Sequence, residues 1–130
     1  MSGWSAYIDN LMESSDKIQK AAIIGFPDGS TWAKSEGANA FNASDAELVR
    51  FAKLFENTAA VPSTGADLEG THYIVPRTEE TLIFGKKEKT GFFAAKTTSA
   101  ILIALYEGEN AAEVRTAVEN LATYLVETGY

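Results

Sequence analysis

His72 is the only imidazole in the 130 residues, and there is no cysteine. A Ser-His-Asp relay would have to run through His72, which lies within a run of strand-forming residues, and no nucleophile motif accompanies it. A strand histidine at a surface or interface is the reading its surroundings favour. One histidine without thiolates makes zinc implausible, and the absence of cysteine excludes disulfides. Glu79 and Glu80 are adjacent acids at a hairpin turn, where carboxylates are solvated rather than poised for proton transfer. Gly85-Lys86-Lys87 lacks both the upstream glycine and the downstream hydroxyl of a phosphate-binding loop. The chain is therefore expected to be no enzyme, and to carry no metal or cofactor.

What remains is suited to non-covalent binding. The chain carries 18 acidic and 11 basic residues, a formal net charge of -7. So acidic a surface repels nucleic acid, yet Lys86, Lys87 and Lys89 sit together, with Arg77 and Lys96 nearby in sequence. A local basic patch on an acidic body points to a specific acidic partner rather than to polyanions in general. Trp4 and Tyr7, three apart, are neighbours on a helix surface. Trp32 lies in an early strand, and Tyr124 and Tyr130 lie at the end of the last helix. Were the terminal helices to pack side by side on a sheet, these rings would converge into an aromatic groove. Such grooves take polyproline II ligands, because flat rings fit between proline rings while indole N–H and tyrosine O–H groups bond the ligand carbonyls. Spacing alone favours the alternative, in which the aromatics pack inward as core.

The elements that must position these residues follow from periodicity. Trp4, Tyr7, Ile8 and Leu11 fall on one helical face, predicting a helix over 3–12. Residues 21–25 read as a buried strand, and Pro27-Asp28-Gly29 as the turn into a second strand, 30–34. Ser44 with Glu47 three residues on predicts a capping box, opening a helix that buries Leu48, Phe51, Ala52 and Phe55. Residues 61–70 read as a loop around a short strand. Four strands follow, 72–77, 81–84, 92–96 and 100–106, divided by Glu79-Glu80, the segment 85–91 and Thr98-Ser99. A last helix starts near Asn110 with Glu113 as its capping partner. Val114, Val118, Leu121, Ala122 and Leu125 form its apolar stripe, and Gly129 ends it. Consecutive strands favour an antiparallel meander, and helices at both ends make a single α+β domain of residues 1–130.

No repeat, low-complexity segment or linker interrupts the chain. Hydrophobic residues make up 45% and charged residues 22%, as in ordinary globular proteins. The opening ten residues show no basic stretch before an apolar run, and the longest apolar stretch, 100–106, is far short of the ~20 residues of a membrane span. A cytosolic location is the expectation.

The sequence resembles the profilins along its whole length. The resemblance rests on Gly3-Trp4-Ser5-Ala6-Tyr7-Ile8-Asp9-Asn10-Leu11, Ala21-Ala22-Ile23-Ile24-Gly25, Trp32-Ala33 and Gly65-Ala66-Asp67-Leu68-Glu69-Gly70. It continues through His72-Tyr73-Ile74-Val75, Gly85-Lys86-Lys87, Lys96-Thr97 and the ending Tyr124-Leu125 to Gly129-Tyr130. Each motif alone is modest, but their order and coverage are specific. The resemblance is closest in character to non-vertebrate profilins: many vertebrate ones carry histidine where this chain has Tyr124, a change that keeps a flat ring with a hydrogen-bonding tip.

The resemblance implies a six- or seven-stranded antiparallel sheet with the terminal helices together on one face and smaller helices on the other. It implies a proline-peptide site at Trp4, Tyr7, Trp32, Tyr124 and Tyr130, with Asn10 as a polar neighbour. It implies an actin-monomer surface around His72, Val75, Arg77, Lys86, Lys87, Lys96, Val114 and Arg115. Phosphoinositide binding would fall to Lys86, Lys87 and Lys89, weak against the net charge. The implied partners are monomeric actin, proline-rich proteins such as formins and, weakly, anionic membranes, but not nucleic acid; the implied state is a monomer in the cytoplasm and cytoskeleton. Two rivals stand beside this reading: a profilin-fold peptide adaptor whose actin face has drifted, and a small-ligand-binding α+β domain.

Overall fold

Alternation along two long strands decides the architecture. In β1 (Ile18–Gly25) and β8 (Ala100–Glu107), Ala22, Ile24, Ile101, Ile103 and Leu105 point into one core. Ala21, Ile23, Ala100, Leu102, Ala104 and Tyr106 point into another on the opposite side. Strands buried on both faces need a cover on both, and helices supply it. The computed structural model describes residues 3–26, 28–37, 40–79, 81–108 and 111–130.

Among the described residues, six strands form one sheet in the order β2-β1-β8-β7-β6-β5, each neighbouring pair antiparallel. The added strands are β2 (Thr31–Lys34), β5 (Thr78–Glu79), β6 (Leu82–Lys87) and β7 (Thr90–Lys96). Two more, β3 (Ala66–Leu68) and β4 (Thr71–Tyr73), make a separate ribbon. An isolated bridge between Ile74 and Lys86 ties that ribbon to β6.

Helices α1 (Gly3–Ser14) and α4 (Ala112–Glu127) lie together on one face. The expected stripe of α4, Val114, Val118, Leu121, Ala122 and Leu125, is buried there beside Ile8 and Leu11 of α1. On the other face α2 (Asp45–Leu54) and the single turn α3 (Val61–Thr64) cover the sheet with Leu48, Phe51, Ala52 and Val61, and Phe55 follows them. The α+β class and its helix placement are as the sequence led one to expect.

Local signals fared unevenly. Ser44 caps α2 by accepting from the Glu47 N–H at 3.2 Å. The Glu47 carboxylate, however, does not complete a capping box; it accepts from the backbone N–H groups of Glu69 at 2.5 Å and Gly70 at 2.9 Å in the β3–β4 turn. That turn needs the help, because Glu69 sits at φ 55° in the left-handed region. Asn110, the expected cap of α4, lies outside the described residues, as do Pro27 and Glu80. Glu113 accepts instead from Ser15 Oγ at 2.8 Å and pairs with Lys17 at 3.2 Å, pinning the start of α4 to the segment after α1. At the other end Gly129, at φ 104°, permits the paired closing bonds Gly129 N–H to Val126 O and Tyr130 N–H to Leu125 O.

The segment 85–91 is not the loop its glycines suggested. Strand β6 runs on through Lys87 and the turn shrinks to Glu88 and Lys89. Gly85 is required by packing, since a Cβ there would run into the Phe92 ring and come within 2.8 Å of the Tyr73 Cβ.

Candidate functional site

The first site is a band of aromatic rings over the seam between α1, α4 and β2. Trp4 projects from the first turn of α1, and three other rings surround it. Trp32 of β2 lies 4.9 Å away between centroids, Tyr7 lies 5.5 Å away one helical turn on, and Tyr130 meets it edge-on at 4.8 Å and 75°. Tyr7 in turn faces Tyr124 of α4 at 6.0 Å. The five rings thus converge, although they come from positions 4 to 130 of the chain.

They are also reachable. Trp4, Tyr7 and Trp32 are half-buried, anchored below on the α1/α4 core, while Tyr124 is 50% and Tyr130 43% exposed. Spacing had pointed towards core, and the structure makes these rings the rim of the core instead. Partial burial raises the Tyr7 pKa above its ordinary value, followed by its hydrogen bond with Tyr124 and the charges that Tyr124 and Tyr130 would carry. Tyr7 therefore keeps its proton across the neutral range as a hydrogen-bond donor. A shallow groove of about 400 Å³ continues beyond Tyr7 and Tyr124 between the helices, and exposed Asn10 lines it with Ser14 and Asn120.

This arrangement suits an extended ligand. The steps Trp32–Trp4–Tyr7–Tyr124 of 4.9, 5.5 and 6.0 Å are close to the roughly 6 Å rise of two residues in a polyproline II helix. Ring faces would contact the ligand's pyrrolidines, with indole N–H and phenol O–H groups left to meet its carbonyls.

The second candidate is the far edge of the sheet. Leu82, Phe84 and Lys86 alternate onto the α4 side of β6, so Lys86 stands with Phe84 while Lys87 points to the opposite face. The two lysines, adjacent in sequence, are thus separated by the sheet. Beside Lys86, and bonded to it through N–H···O contacts of 3.0 and 2.8 Å, is Ile74, 69% exposed. Sequence reasoning missed Ile74; its signal was an apolar residue at the outward position between inward Tyr73 and Val75. Arg77 lies over the Phe84 ring at 5.9 Å. Arg115, from the first turns of α4, reaches Glu79 at 2.5 Å and Glu119 at 3.3 Å.

Two residues implied for this surface are corrected. Val75 and Val114 are 2% and 0% exposed, each packed inward in its own core, and present no side chain to a partner. Lys96 lies at the opposite end of β7 from the Lys86 pairing, about 17 Å along the strand, with its ammonium 4.6 Å from the Phe26 ring centroid. His72 sits in the β3–β4 ribbon, its Nδ1 2.8 Å from Asp67. Lys87 and Lys89 are exposed at the hairpin tip, interleaved with Glu88 and near Glu107.

Among the described residues, no group of histidine and carboxylate side chains is arranged to hold a metal ion, and no helix is long and apolar enough to cross a membrane.

Comparison with known proteins gives the family and the fold. The family model described as Profilin matches residues 2–130. Profilin-2 of Caenorhabditis elegans is 62% identical over 132 residues, covering 100% of both chains. The crystal structure of Schizosaccharomyces pombe profilin superimposes with a TM-score of 0.89 at 36% identity, covering 98% of this chain and 100% of that one. Mouse profilin IIa, solved in complex with a double repeat from the FH1 domain of mDia1, shares the fold with a TM-score of 0.78 at 21% identity, covering 99% and 100%.

Proposed function

The chain belongs to the profilin family, and from that premise we propose that it is a two-site adaptor in the cytoplasm and cytoskeleton, binding proline-rich segments on its aromatic band and an actin monomer on the sheet edge beside α4. The single observation that carries the reading is the unbroken chain of rings from Trp32 through Trp4 and Tyr7 to Tyr124, with Tyr130 on Trp4. The mouse relative holds an FH1 repeat, which supports proline-rich partners such as formins for this chain too. In this scheme Trp4, Tyr7, Trp32, Tyr124 and Tyr130 grip the peptide, and Asn10 meets its polar groups.

The actin face is the exposed set Ile74, Arg77 and Lys86, with half-buried Arg115 beside it. A basic rim on an otherwise acidic protein speeds and orients encounter with an acidic partner, and Ile74 supplies apolar contact at its centre. The protein would hinder spontaneous nucleation, promote nucleotide exchange on actin by shifting that partner's own conformation, and deliver monomers to proline-rich elongation factors. It takes no chemical step itself. Lys86, Lys87 and Lys89 would also meet phosphoinositides, weakly, since carboxylates interleave with them and Lys86 and Lys87 leave the sheet on opposite faces.

A specific observation favours a second reading, a peptide adaptor whose actin face has drifted. Arg115 is engaged by Glu79 and Glu119 rather than held out for a partner. One pair of titrations separates the readings. Tryptophan fluorescence with a proline decamer should change on binding, and the rate of nucleotide release from actin monomers should rise with added protein. Peptide binding without any effect on actin at micromolar concentration supports the second reading; silence in both assays defeats the two-site proposal.

A further inference from the structure

Tyr130 presents a geometrical problem. Its ring is 43% exposed at the margin of the band, yet it meets Trp4 in one defined edge-on orientation. Neighbouring rings alone do not set the path of the backbone that delivers it. The β7–β8 turn does so.

One main-chain oxygen of Tyr130 accepts three hydrogen bonds from this turn. The Ser99 N–H donates at 2.6 Å, the Ser99 hydroxyl at 3.0 Å and the Thr97 hydroxyl at 2.9 Å. On the other side of the residue, the Tyr130 N–H donates to Leu125 O at 2.8 Å. The turn is itself rigid. Thr97 is 3% exposed and its N–H donates to Ala100 O at 2.7 Å, while Ala100 N–H returns a bond to the Thr97 hydroxyl at 3.1 Å. Ser99 O accepts from Phe26 N–H at 3.0 Å, fixing the turn to the end of β1. Three donors from two residues of one turn, with the N–H bond on the other side, define where the Tyr130 backbone lies.

We infer that Thr97 and Ser99 are positioning residues of the peptide site, holding the Tyr130 backbone so that its ring stands preorganised against Trp4. The inference rests on the peptide-binding reading above and extends it to the β7–β8 turn, which acts through the Tyr130 backbone. Their effect on affinity is indirect: with both backbone sides of Tyr130 fixed, the ligand does not have to order the ring on binding. The turn also belongs to the sheet rather than to either terminal helix, so it ties the site to the layer on which both helices pack.

The test uses Thr97→Val with Ser99→Ala, alone and together with Tyr130→Ala, and two readouts. The affinity for a proline decamer is measured by tryptophan fluorescence, and the Tyr130 ring protons, displaced by the Trp4 ring current, are followed by NMR in the free protein. The turn variant should bind the decamer about tenfold more weakly and its Tyr130 signals should move to free-tyrosine positions, with melting still cooperative. In the Tyr130→Ala background the same turn changes should add less than about twofold, and Thr97→Ser should restore the ring signals to a Thr97→Val protein. Unchanged ring signals, or an equal loss of affinity without Tyr130, overturns the inference. If the unaltered protein fails to bind the decamer, the peptide reading falls while the ring signals still decide whether the turn positions Tyr130. Should the double variant fail to fold, Ser99→Ala alone carries the same two readouts.

Discussion

Trp4 and Tyr130, separated by nearly the whole chain, meet edge to face with centroids 4.8 Å apart. Trp4 also contacts Tyr7 and Trp32, so it is the hub of the band rather than one member of it.

Trp4→Ala should therefore abolish binding to the proline decamer, a loss beyond about thirtyfold, because hub aromatics dominate such interfaces. It should also cost about 2 kcal/mol of stability, less than a fully buried tryptophan, since the ring is half-exposed. Fluorescence from Trp32 and urea unfolding measure the two effects separately. Nucleotide exchange on actin should persist.

Lys86→Glu should do the reverse. Lys86 shares its face with Phe84 and the exposed Ile74, so reversing its charge should weaken actin binding about tenfold and leave decamer binding intact. Lys87→Glu, on the opposite face, should weaken actin binding much less. Equal losses from the two changes would contradict the placement given to the actin face.

Glu47→Gln tests the tie between α2 and the β3–β4 turn. The carboxylate is 7% exposed and accepts two backbone N–H groups. The amide places an N–H₂ opposite one of those donors, so the change should destabilise the fold by about 2 kcal/mol, read from the urea midpoint. Both binding activities should survive in the folded fraction.

The pH profile has two predicted limbs. The Tyr73 and Tyr106 hydroxyls are pushed above their ordinary value chiefly by burial. The folded state holds these protons more tightly than the unfolded chain, so their contribution is complete below pH 10 and is lost as pH rises through the folded values. Tyr106→Phe should flatten the alkaline fall in thermal midpoint. On the acid side, hydrogen bonds from Ser15 and Lys17 lower the Glu113 pKa. Its contribution is complete above the ordinary carboxylate range and is lost as pH falls through the lowered value, and Glu113→Gln should remove that part of the acid slope.

How far the fold could be read in advance depended on which force governed each element. The stripe Val114, Val118, Leu121, Ala122 and Leu125 was legible because one apolar face on one core imposes a 3.6-residue period. The strands flanking Ala100 were legible for the same kind of reason. Gly85 was misread because glycine marks turns and close packing alike, and only the positions of Phe92 and Tyr73 decide between them. Glu47 was half-read: the Ser44 cap is local, while the carboxylate's partners at Glu69 and Gly70 are 22 and 23 residues away. The aromatic rings could be named in advance but not placed, since periodicity orients a side chain towards a seam without saying whether the seam is roofed. The separation of Lys86 from Lys87 was available from strand alternation once β6 was known to run that far.

The band draws Trp4 and Tyr7 from α1 and Tyr124 from α4, elements at opposite ends of the chain. This orders events during synthesis. A nascent chain that has released α1 and most of the sheet still lacks the ring that flanks Tyr7, and its Trp4 waits exposed for Tyr130. The aromatic band would thus be completed only after every strand of the sheet has been released, and a ligand that needs all five rings would find it incomplete until then.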